Sequence, residues 1–229
     1  MNIAIIPARI GSIRIKKKNI KKFNNFPIIH YSIKAALNSN LFDDVIVSTD
    51  STIISKIGKK MGANVPFLRP KYLSGNKTGI VEVISHAIKK YKLIYKKNIS
   101  FVCCILPTAP FIQIKDIKAG FKKIIIGKYS YVISVSNYEF PIDRAFILNK
   151  KNHIKNYSPT FYKKRSQDLN DVFFDAGLFY WGSVNSWINK KPIFSKTTST
   201  IMIPRWRVQD IDTIDDWKRS EIMYKIINN

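Results

Sequence analysis

The chain has 229 residues, of which 45% are hydrophobic and 13% are aromatic. This is enough apolar material for one sizeable core and too much for a disordered chain. No uninterrupted apolar run reaches about eighteen residues, and the N-terminus lacks the basic and apolar regions of a signal peptide, so we expect neither a membrane span nor secretion. The composition favours one domain over residues 1–229, located in the cytoplasm.

The formal net charge is +24, from 39 lysines and arginines against 15 aspartates and glutamates. The lysines are spread along the whole chain, and Ile and Asn are abundant too, which is typical of a codon-biased, solvated surface. No nucleic-acid recognition motif accompanies the charge, so we expect no nucleic-acid partner.

The two cysteines, Cys103 and Cys104, are adjacent in an apolar segment. Neighbours on a strand point to opposite faces, so the pair is poorly placed for a disulfide. Without a Cys/His cluster there is no zinc site to predict, and the pattern favours a reducing compartment.

Short apolar runs alternate with helical patterns through the first part of the chain. Strands are predicted at residues 3–6, 45–48, 65–68, 99–106 and 131–135, and helices at 28–37, 53–61, 80–91 and 114–125. This rhythm predicts an α/β fold with a mostly parallel, twisted sheet flanked by helices. Ligands bind outside the carboxyl ends of the strands in such folds, so the loops that follow the strands are where a site is expected.

The rhythm breaks from about residue 137 to 172, where the sequence is polar, aromatic and basic without a clear helix. A long irregular segment in a compact domain is either functional or paired with something. We interpret residues 137–172, called the arm below, as a projection that contacts a second subunit; a loose surface insertion is the alternative. A strand at 173–181, another at 201–203 and a helix at 213–227 follow.

The first candidate motif, called the basic loop below, covers residues 6–19 and reads Ile6-Pro7-Ala8-Arg9-Ile10-Gly11-Ser12-Ile13-Arg14-Ile15-Lys16-Lys17-Lys18-Asn19. A loop of this kind can surround a polyphosphate with backbone N–H groups and neutralise it with Arg and Lys. Its spacing fits neither a Walker P-loop nor a dinucleotide fingerprint. An ordinary basic loop is the alternative.

The second motif, called the carboxylate segment below, is Gln209-Asp210-Ile211-Asp212-Thr213. Two carboxylates one residue apart at a strand-to-helix junction can hold a hard divalent cation such as Mg²⁺, which would offset triphosphate charge. The alternative is simple N-capping of the helix by Asp212 or Thr213.

Three further segments stand at strand ends or in the arm. Residues 106–110 (Leu-Pro-Thr-Ala-Pro) end the strongest strand; the alternative is that the two prolines only make a rigid turn. Arg165, within Lys164–Asp168, can fork onto a carboxylate, or can form a surface ion pair. Asp175-Ala176-Gly177 contains a small residue that permits close approach of a ligand.

In their order along the chain, these segments resemble the cytidylyltransferases that make CMP-activated nonulosonic acids. This acylneuraminate cytidylyltransferase family includes the CMP-sialic acid synthetases, and the chain most resembles its pseudaminic acid branch. The resemblance is carried by the basic loop, Val47–Asp50, Leu68–Pro70, Cys103–Pro110, Arg165–Asp168, Asp175–Gly177 and the carboxylate segment.

The resemblance implies a Rossmann-like nucleotidyltransferase that uses CTP and an acidic nine-carbon sugar, with Mg²⁺ or Mn²⁺ as cofactor and a homodimer built through the arm. The sugar's anomeric hydroxyl would attack the α-phosphorus and release pyrophosphate. Pseudaminic acid is the favoured sugar; sialic, legionaminic or 3-deoxy-octulosonic acid are alternatives. An alternative of another class is a non-catalytic protein that binds a nucleotide or polyanion.

The resemblance also assigns residues. CTP binding falls to Arg9, Gly11, Ser12, Arg14, Lys18, Asn19 and Arg69; sugar binding to Thr108, Arg165, Gln167 and Asp175; metal binding to Asp210 and Asp212; and catalysis to Arg9, Lys18 and Asp212. The chain departs from the family pattern at Ile10, where a Gly is usual, and at Ile13, where a Lys is usual. Loss of that cation is expected to weaken CTP binding by about 1–3 kcal/mol, the scale of a charge-assisted hydrogen bond.

Overall fold

The computed structural model describes residues 1–158 and 164–228, which form ten strands and six α-helices. The strands are β1 (Asn2–Pro7), β2 (Lys22–Phe23), β3 (Phe26–Pro27), β4 (Asp44–Ser48), β5 (Phe101–Ile105), β6 (Tyr131–Asn137), β7 (Phe146–Leu148), β8 (Ile154–Asn156), β9 (Phe173–Ser183) and β10 (Thr198–Met202). The helices are α1 (Ile29–Asn38), α2 (Thr52–Lys60), α3 (Ile80–Tyr95), α4 (Ile114–Ile126), α5 (Val184–Ile188) and α6 (Ile214–Asn228).

Six strands form the central sheet in the order β10-β6-β9-β5-β1-β4. The pairs β1–β4, β1–β5 and β10–β6 are parallel, whereas β9 is antiparallel to both of its neighbours. The arm leaves at the carboxyl end of β6 and returns the chain at the same edge, where Asn137 pairs with Phe173, so β9 must run backwards. The predicted α/β fold with a mostly parallel sheet is confirmed.

Helices cover both faces of the sheet, and alternate residues of each central strand enter different cores. On β1, Ala4 and Ile6 pack with α1, α2 and α4, while Ile3 and Ile5 pack with α3 and α5. All four side chains are fully buried. Burial on both faces explains why these strands read as continuous apolar runs in the sequence.

Helix α4 packs closely on β9 because it carries a glycine at the contact. A Cβ at Gly120 would lie 2.7 Å from Cδ1 of Trp181 and 2.8 Å from Cε2 of Phe179, closer than atoms tolerate. The Trp181 indole N–H donates to the carbonyl of Ile117 at 3.0 Å. These contacts fix α4, and with it the position of its first turn, against the sheet.

The predicted strand at residues 65–68 is wrong. The segment runs beside β4 but makes only two isolated parallel bridges, Ile46 with Asn64 and Thr49 with Leu68. Pro66 lies between them and has no N–H to continue a ladder. The segment still places a site residue, because the backbone N–H of Arg69 donates to the carbonyl of Thr49 at 2.7 Å.

The arm is more regular than its sequence indicates. Strands β7 and β8 form an antiparallel hairpin, with short 3-10 turns at Ile142–Arg144 and Ser166–Asp168 on either side. Each of Phe146, Ile147 and Leu148 is more than half exposed. Residues 159–163 of the predicted arm lie outside the described residues.

Two expectations drawn from the composition concern cysteines and membranes. Both Cys103 and Cys104 are free and buried, and burial raises the pKa of each thiol. Within residues 1–158 and 164–228, no helix combines the length and apolarity needed to cross a membrane.

Candidate active site

A cavity of about 560 Å³ lies at the carboxyl ends of β1 and β5. Its walls come from the basic loop, from the segment between Arg69 and Val83, from the loop after β5 and from the carboxylate segment. Eight residues predicted for the site line it: Arg9, Ser12, Arg14, Lys18, Asn19, Arg69, Thr108 and Asp212. Motifs from four distant parts of the sequence therefore meet in one place.

The basic loop is held to the protein at several points along its length. At its start, the N–H of Ala8 donates to the carbonyl of Ser48 at 2.9 Å. The N–H of Ile10 donates to the Asp50 carboxylate at 3.1 Å. At its end, the Asn19 amide donates to the carbonyl of Arg9 at 2.9 Å, which closes the loop on itself. The cations of the loop are thus presented by an anchored backbone.

Two arginines of the cavity, Arg9 and Arg69, contact the segment that follows Pro70. The Arg9 guanidinium donates to the side-chain carbonyl of Asn76. Arg69 is only 5% exposed, and its Nε donates to Ser74 Oγ at 3.1 Å. Burial lowers the pKa of Arg69, and the Asp50 carboxylate opposes that shift. An arginine stays protonated in a protein, so this buried positive charge favours a ligand that is rich in oxygen acceptors.

The Asp212 carboxylate contacts two cations of the basic loop. It lies 2.7 Å from the Arg14 guanidinium and 3.3 Å from the Lys18 ammonium. Lys18 also donates to the carbonyl of Ile211 at 2.7 Å. Ile211 is buried beside Ile15 of the basic loop, so a small apolar cluster joins the two motifs beneath the ion pairs.

The capping alternative for the carboxylate segment is satisfied without Asp212. The N–H of Asp216 donates to Thr213 Oγ1 at 3.1 Å, and the N–H of Thr213 donates to Asp216 Oδ2 at 2.8 Å. This reciprocal pair is a capping box with Asp in place of Glu. Thr213 therefore caps α6, which leaves the Asp212 carboxylate to face the cavity.

The chemistry of the carboxylate pair fits a hard divalent cation. Partial burial, followed by the charge of Asp212, raises the pKa of Asp210, so the two carboxylates repel each other. No group of three or more His, Cys, Asp or Glu side chains suited to a metal occurs among the described residues. Two carboxylates with the remaining positions left to water and phosphate oxygens is the usual arrangement for Mg²⁺.

Five predicted site residues do not line the cavity: Gly11, Asp210, Arg165, Gln167 and Asp175. Arg165 forms a forked ion pair with Asp168, at 2.8 and 3.2 Å, on the exposed arm. Asp175 accepts hydrogen bonds from the Gly177 N–H at 2.9 Å and from the Tyr180 hydroxyl at 2.5 Å. Their roles toward the sugar stay predictions.

A second cavity, of about 480 Å³, lies between α1, α6 and the segment before α4. Its lining includes His30, Lys34, Phe111 and Tyr224, and none of the predicted site residues. The predicted chemistry is therefore concentrated in the first cavity.

Comparison with known proteins fits this geometry. Residues 3–172 match the model of the family described as cytidylyltransferase. The chain belongs to the cytidylyltransferase family. Pseudaminic acid cytidylyltransferases from two strains of Campylobacter jejuni are 39% and 38% identical to it over 227 residues, which is 98% of this chain and 97% of each relative. The CMP-N,N'-diacetyllegionaminic acid synthase of Legionella pneumophila is 26% identical, covering 98% of this chain and 96% of that protein.

Solved structures agree on the fold. A CMP:2-keto-3-deoxy-manno-octonic acid synthetase, solved as a complex with CTP, matches with a TM-score of 0.74 at 12% identity and covers 99% of both chains. A 4-diphosphocytidyl-2C-methyl-D-erythritol synthase from Anaerococcus prevotii matches with a TM-score of 0.65 at 12% identity, covering 98% of both chains. The predicted family and nucleotidyltransferase fold are both confirmed.

The neighbouring aspartates are expected to affect stability in opposite directions. Because the pKa of Asp210 is raised, its ionised form costs stability at neutral pH, and that cost disappears as the pH falls below the pKa of the unfolded chain. Asp210→Asn removes the cost, whereas Asp212→Asn leaves Arg14 and Lys18 without their partner. Both groups are partly exposed, so we expect shifts within about 1 kcal/mol, or about 2–4 °C for a domain of this size.

The measurement is thermal unfolding without metal from neutral to acid pH. Asp210→Asn should be at least as stable as the wild type at neutral pH, with the difference lost in acid, and Asp212→Asn should be less stable. Asp171→Asn, at an exposed position outside any helix, is the control and should change little. An Asp210→Asn protein less stable than Asp212→Asn at neutral pH would contradict this assignment.

Proposed function

We propose that this protein transfers CMP from CTP to a nonulosonic acid, with pseudaminic acid as the favoured acceptor, and releases pyrophosphate. The observation that carries the proposal is the cationic cavity that Asp212 lines, with Asp210 two positions before it in the chain, in a member of the cytidylyltransferase family. The choice of sugar rests on the relatives named pseudaminic acid cytidylyltransferase, which align over nearly the whole chain.

The cavity suits a triphosphate on charge alone. Four of its lining residues are cations, Arg9, Arg14, Lys18 and Arg69, and Asp212 is the one carboxylate among the lining residues that the structure describes. Transfer at phosphorus needs positioning and charge neutralisation more than a covalent partner, and fixed cations in an anchored loop supply both. We assign Arg69 to the cytosine end and the basic loop, with Gly11 and Asn19, to the phosphates.

Asp210 and Asp212 are the residues that would hold Mg²⁺ or Mn²⁺, whose charge would neutralise the phosphate oxygens. The anomeric hydroxyl of the sugar forms the new bond to the α-phosphorus as the bond to pyrophosphate breaks. We assign acceptance of the hydroxyl proton to the Asp212 carboxylate. Lys18, which donates to both Asp212 and the Ile211 carbonyl, keeps that carboxylate at the edge of the cavity.

The acceptor half of the site requires a second chain. Thr108 is the one predicted sugar contact that lines the cavity; Arg165 and Gln167 belong to the arm. We propose that two chains associate through their arms, so that Arg165 of one meets the sugar carboxylate held by the other. The exposed apolar side chains of the β7–β8 hairpin support this association.

The buried thiols Cys103 and Cys104 fit a reducing cytoplasm.

Pyrophosphate release tests the reaction directly. The protein is incubated with CTP, Mg²⁺ and pseudaminic, legionaminic, sialic or 3-deoxy-octulosonic acid in turn. We expect turnover that requires CTP and metal, is fastest with pseudaminic acid and is lost in Asp212→Asn. Faster turnover with legionaminic or sialic acid would move the assignment to that sugar.

The controls separate the enzyme from the other classes. Turnover with UTP that exceeds turnover with CTP would contradict the cytidylyl assignment. No pyrophosphate with any acid, from a protein shown to be folded, would favour a non-catalytic nucleotide- or polyanion-binding protein. Such a binder should keep or gain affinity for polyanions when Asp210 and Asp212 are replaced by Asn.

The unusual Ile13 gives a gain-of-function prediction. Ile13 lines the cavity and is 72% exposed, so a lysine there would reach the phosphates without a burial cost. Ile13→Lys should lower the KM for CTP by about twofold to fivefold, since a partly exposed charge pair is worth up to about 1 kcal/mol. The gain should shrink at high ionic strength. The control is Ile53→Lys on α2, outside the cavity and 49% exposed; an equal effect there would show a general charge effect instead.

The arm predicts the oligomeric state. Leu148 and Ile154 are opposite each other in the β7–β8 hairpin and are 54% and 64% exposed. In light scattering at micromolar concentration we expect a dimer for the wild type and a monomer for the double variant Leu148→Glu/Ile154→Glu, because buried like charges would oppose association. Leu93→Glu, at a 71% exposed site on α3, should remain dimeric. A monomeric wild type would remove the arm from the proposal.

A further inference from the structure

One buried ion pair joins the two sides of the candidate site from outside it. The Arg207 guanidinium forks onto the Asp116 carboxylate, with N–O distances of 2.7 and 3.0 Å. The two residues are 91 positions apart, and their side chains are only 2% and 8% exposed. Neither residue lines the cavity.

Arg207 stands immediately before the carboxylate segment. It ends a 3-10 turn, Arg205–Arg207, and only Val208 and Gln209 separate it from Asp210. Before the turn the chain is fixed at Ile203, whose N–H donates to the carbonyl of Val135 at 2.8 Å. After Asp210 it is fixed at Ile211 by the apolar cluster that also holds the basic loop. Between these two points, the side chain of Arg207 is a deeply buried anchor.

Asp116 follows the loop after β5, which lines the cavity. It lies in the first turn of α4, eight positions after Thr108, whose loop lines the cavity. The carboxylate is well placed there because the N-terminus of a helix favours a negative charge. Since α4 is fixed to β9 at Gly120, Asp116 is a rigid point of attachment.

We propose that the Arg207–Asp116 pair is a positioning device, which sets the carboxylate segment at the distance from the β5 loop that a divalent cation and CTP require. Arg207 and Asp116 are then positioning residues rather than catalytic ones. The proposal rests on the proposed function, because it assumes that Asp210 and Asp212 hold the metal.

Stability alone is a poor explanation for the pair. Replacing a buried ion pair by apolar residues of similar volume is often neutral or stabilising, whereas removal of one partner is strongly destabilising. Apolar side chains cannot reproduce the two hydrogen bonds that fix the orientation of an arginine on a carboxylate. Groups that hydrogen-bond metal ligands directly contribute about 10–100-fold to metal affinity, and we expect the lower end of that range for an anchor that acts through three residues of backbone.

The test therefore replaces both partners at once, with Arg207→Met/Asp116→Leu. We measure Mn²⁺ binding in the presence of CTP by the electron paramagnetic resonance signal of free Mn²⁺, which requires no turnover. The double variant should keep a melting temperature near that of the wild type and lose about tenfold or more in Mn²⁺ affinity. In the pyrophosphate assay the KM for Mg²⁺ should rise similarly, while kcat at saturating Mg²⁺ stays close to the wild type.

The matched control lies on the same turn. Arg205 pairs with Glu139 of the arm and is partly exposed, so Arg205→Met removes an ion pair without touching the buried one. Its Mn²⁺ affinity should remain within about twofold of the wild type, because exposed pairs contribute little. A loss equal to that of the double variant would show that the turn, not the Arg207–Asp116 pair, is responsible.

The remaining outcomes are distinct. A folded double variant with wild-type Mn²⁺ affinity would overturn the proposal. If the double variant does not fold, Arg207→Lys, which keeps the charge and loses the fork, should bind Mn²⁺ several-fold more weakly; wild-type affinity in that variant, or its failure to fold as well, would make the pair purely structural. A wild type that binds Mn²⁺ with CTP but releases no pyrophosphate would contradict only the proposed function, whereas one that binds no Mn²⁺ would contradict the inference itself.

Discussion

The rest of the site depends on holding several cations around one cavity before a ligand arrives. Arg9, Arg14, Lys18 and Arg69 repel one another there, and Arg69 is in addition buried. The structure offsets this repulsion with two carboxylates, Asp212 on the side of Arg14 and Lys18 and Asp50 on the side of Arg69. A bound triphosphate would neutralise the four cations more completely than the two carboxylates do. Because the cations are already in place, they would need no reorganisation when it binds. Relief of the repulsion among these cations would thus contribute to the affinity for a triphosphate.

Apolar packing supplies the rigidity that the charges need. Ile211 lies between two aspartates in sequence, and because neighbours in an extended chain point to opposite sides, its burial leaves the carboxylates outside the core. Ile15 of the basic loop packs in the same cluster, together with Trp217 of α6. One apolar cluster therefore joins the basic loop, the carboxylate segment and α6. The capping of α6 by Thr213 and Asp216 fixes the start of that helix.

The sequence predicted the parts of this arrangement that follow from local pattern. Continuous apolar runs revealed strands buried on both faces, and helical spacing revealed the four helices before the arm. It did not predict that β9 runs antiparallel to its neighbours, which follows from where the arm returns. It also predicted a strand at 65–68 that does not form, because Pro66 cannot continue the ladder that the composition favours. The Arg207–Asp116 pair had no sequence signal, because partners 91 positions apart meet only through the packing of α4 on β9. The motifs assigned to the nucleotide meet in one cavity within a single chain, whereas the arm residues assigned to the sugar lie elsewhere, and their roles stay predictions.

The different locations of the residues assigned to CTP and to the sugar affect how the proposed reaction would be controlled. Eight of the predicted residues surround a cavity that a single chain forms by itself, and seven of these are assigned to CTP or the catalytic step. The arm residues assigned to the sugar lie elsewhere: Arg165 is paired with Asp168, and the apolar side chains of the β7–β8 hairpin are exposed. An exposed ion pair of this kind is weak, so a sugar carboxylate presented by a second chain can displace Asp168 at little cost. In the proposed dimer, nucleotide binding would then precede or accompany assembly without depending on it, whereas sugar binding would require it. A dilute protein should accordingly keep its affinity for CTP while it loses its affinity for the acid.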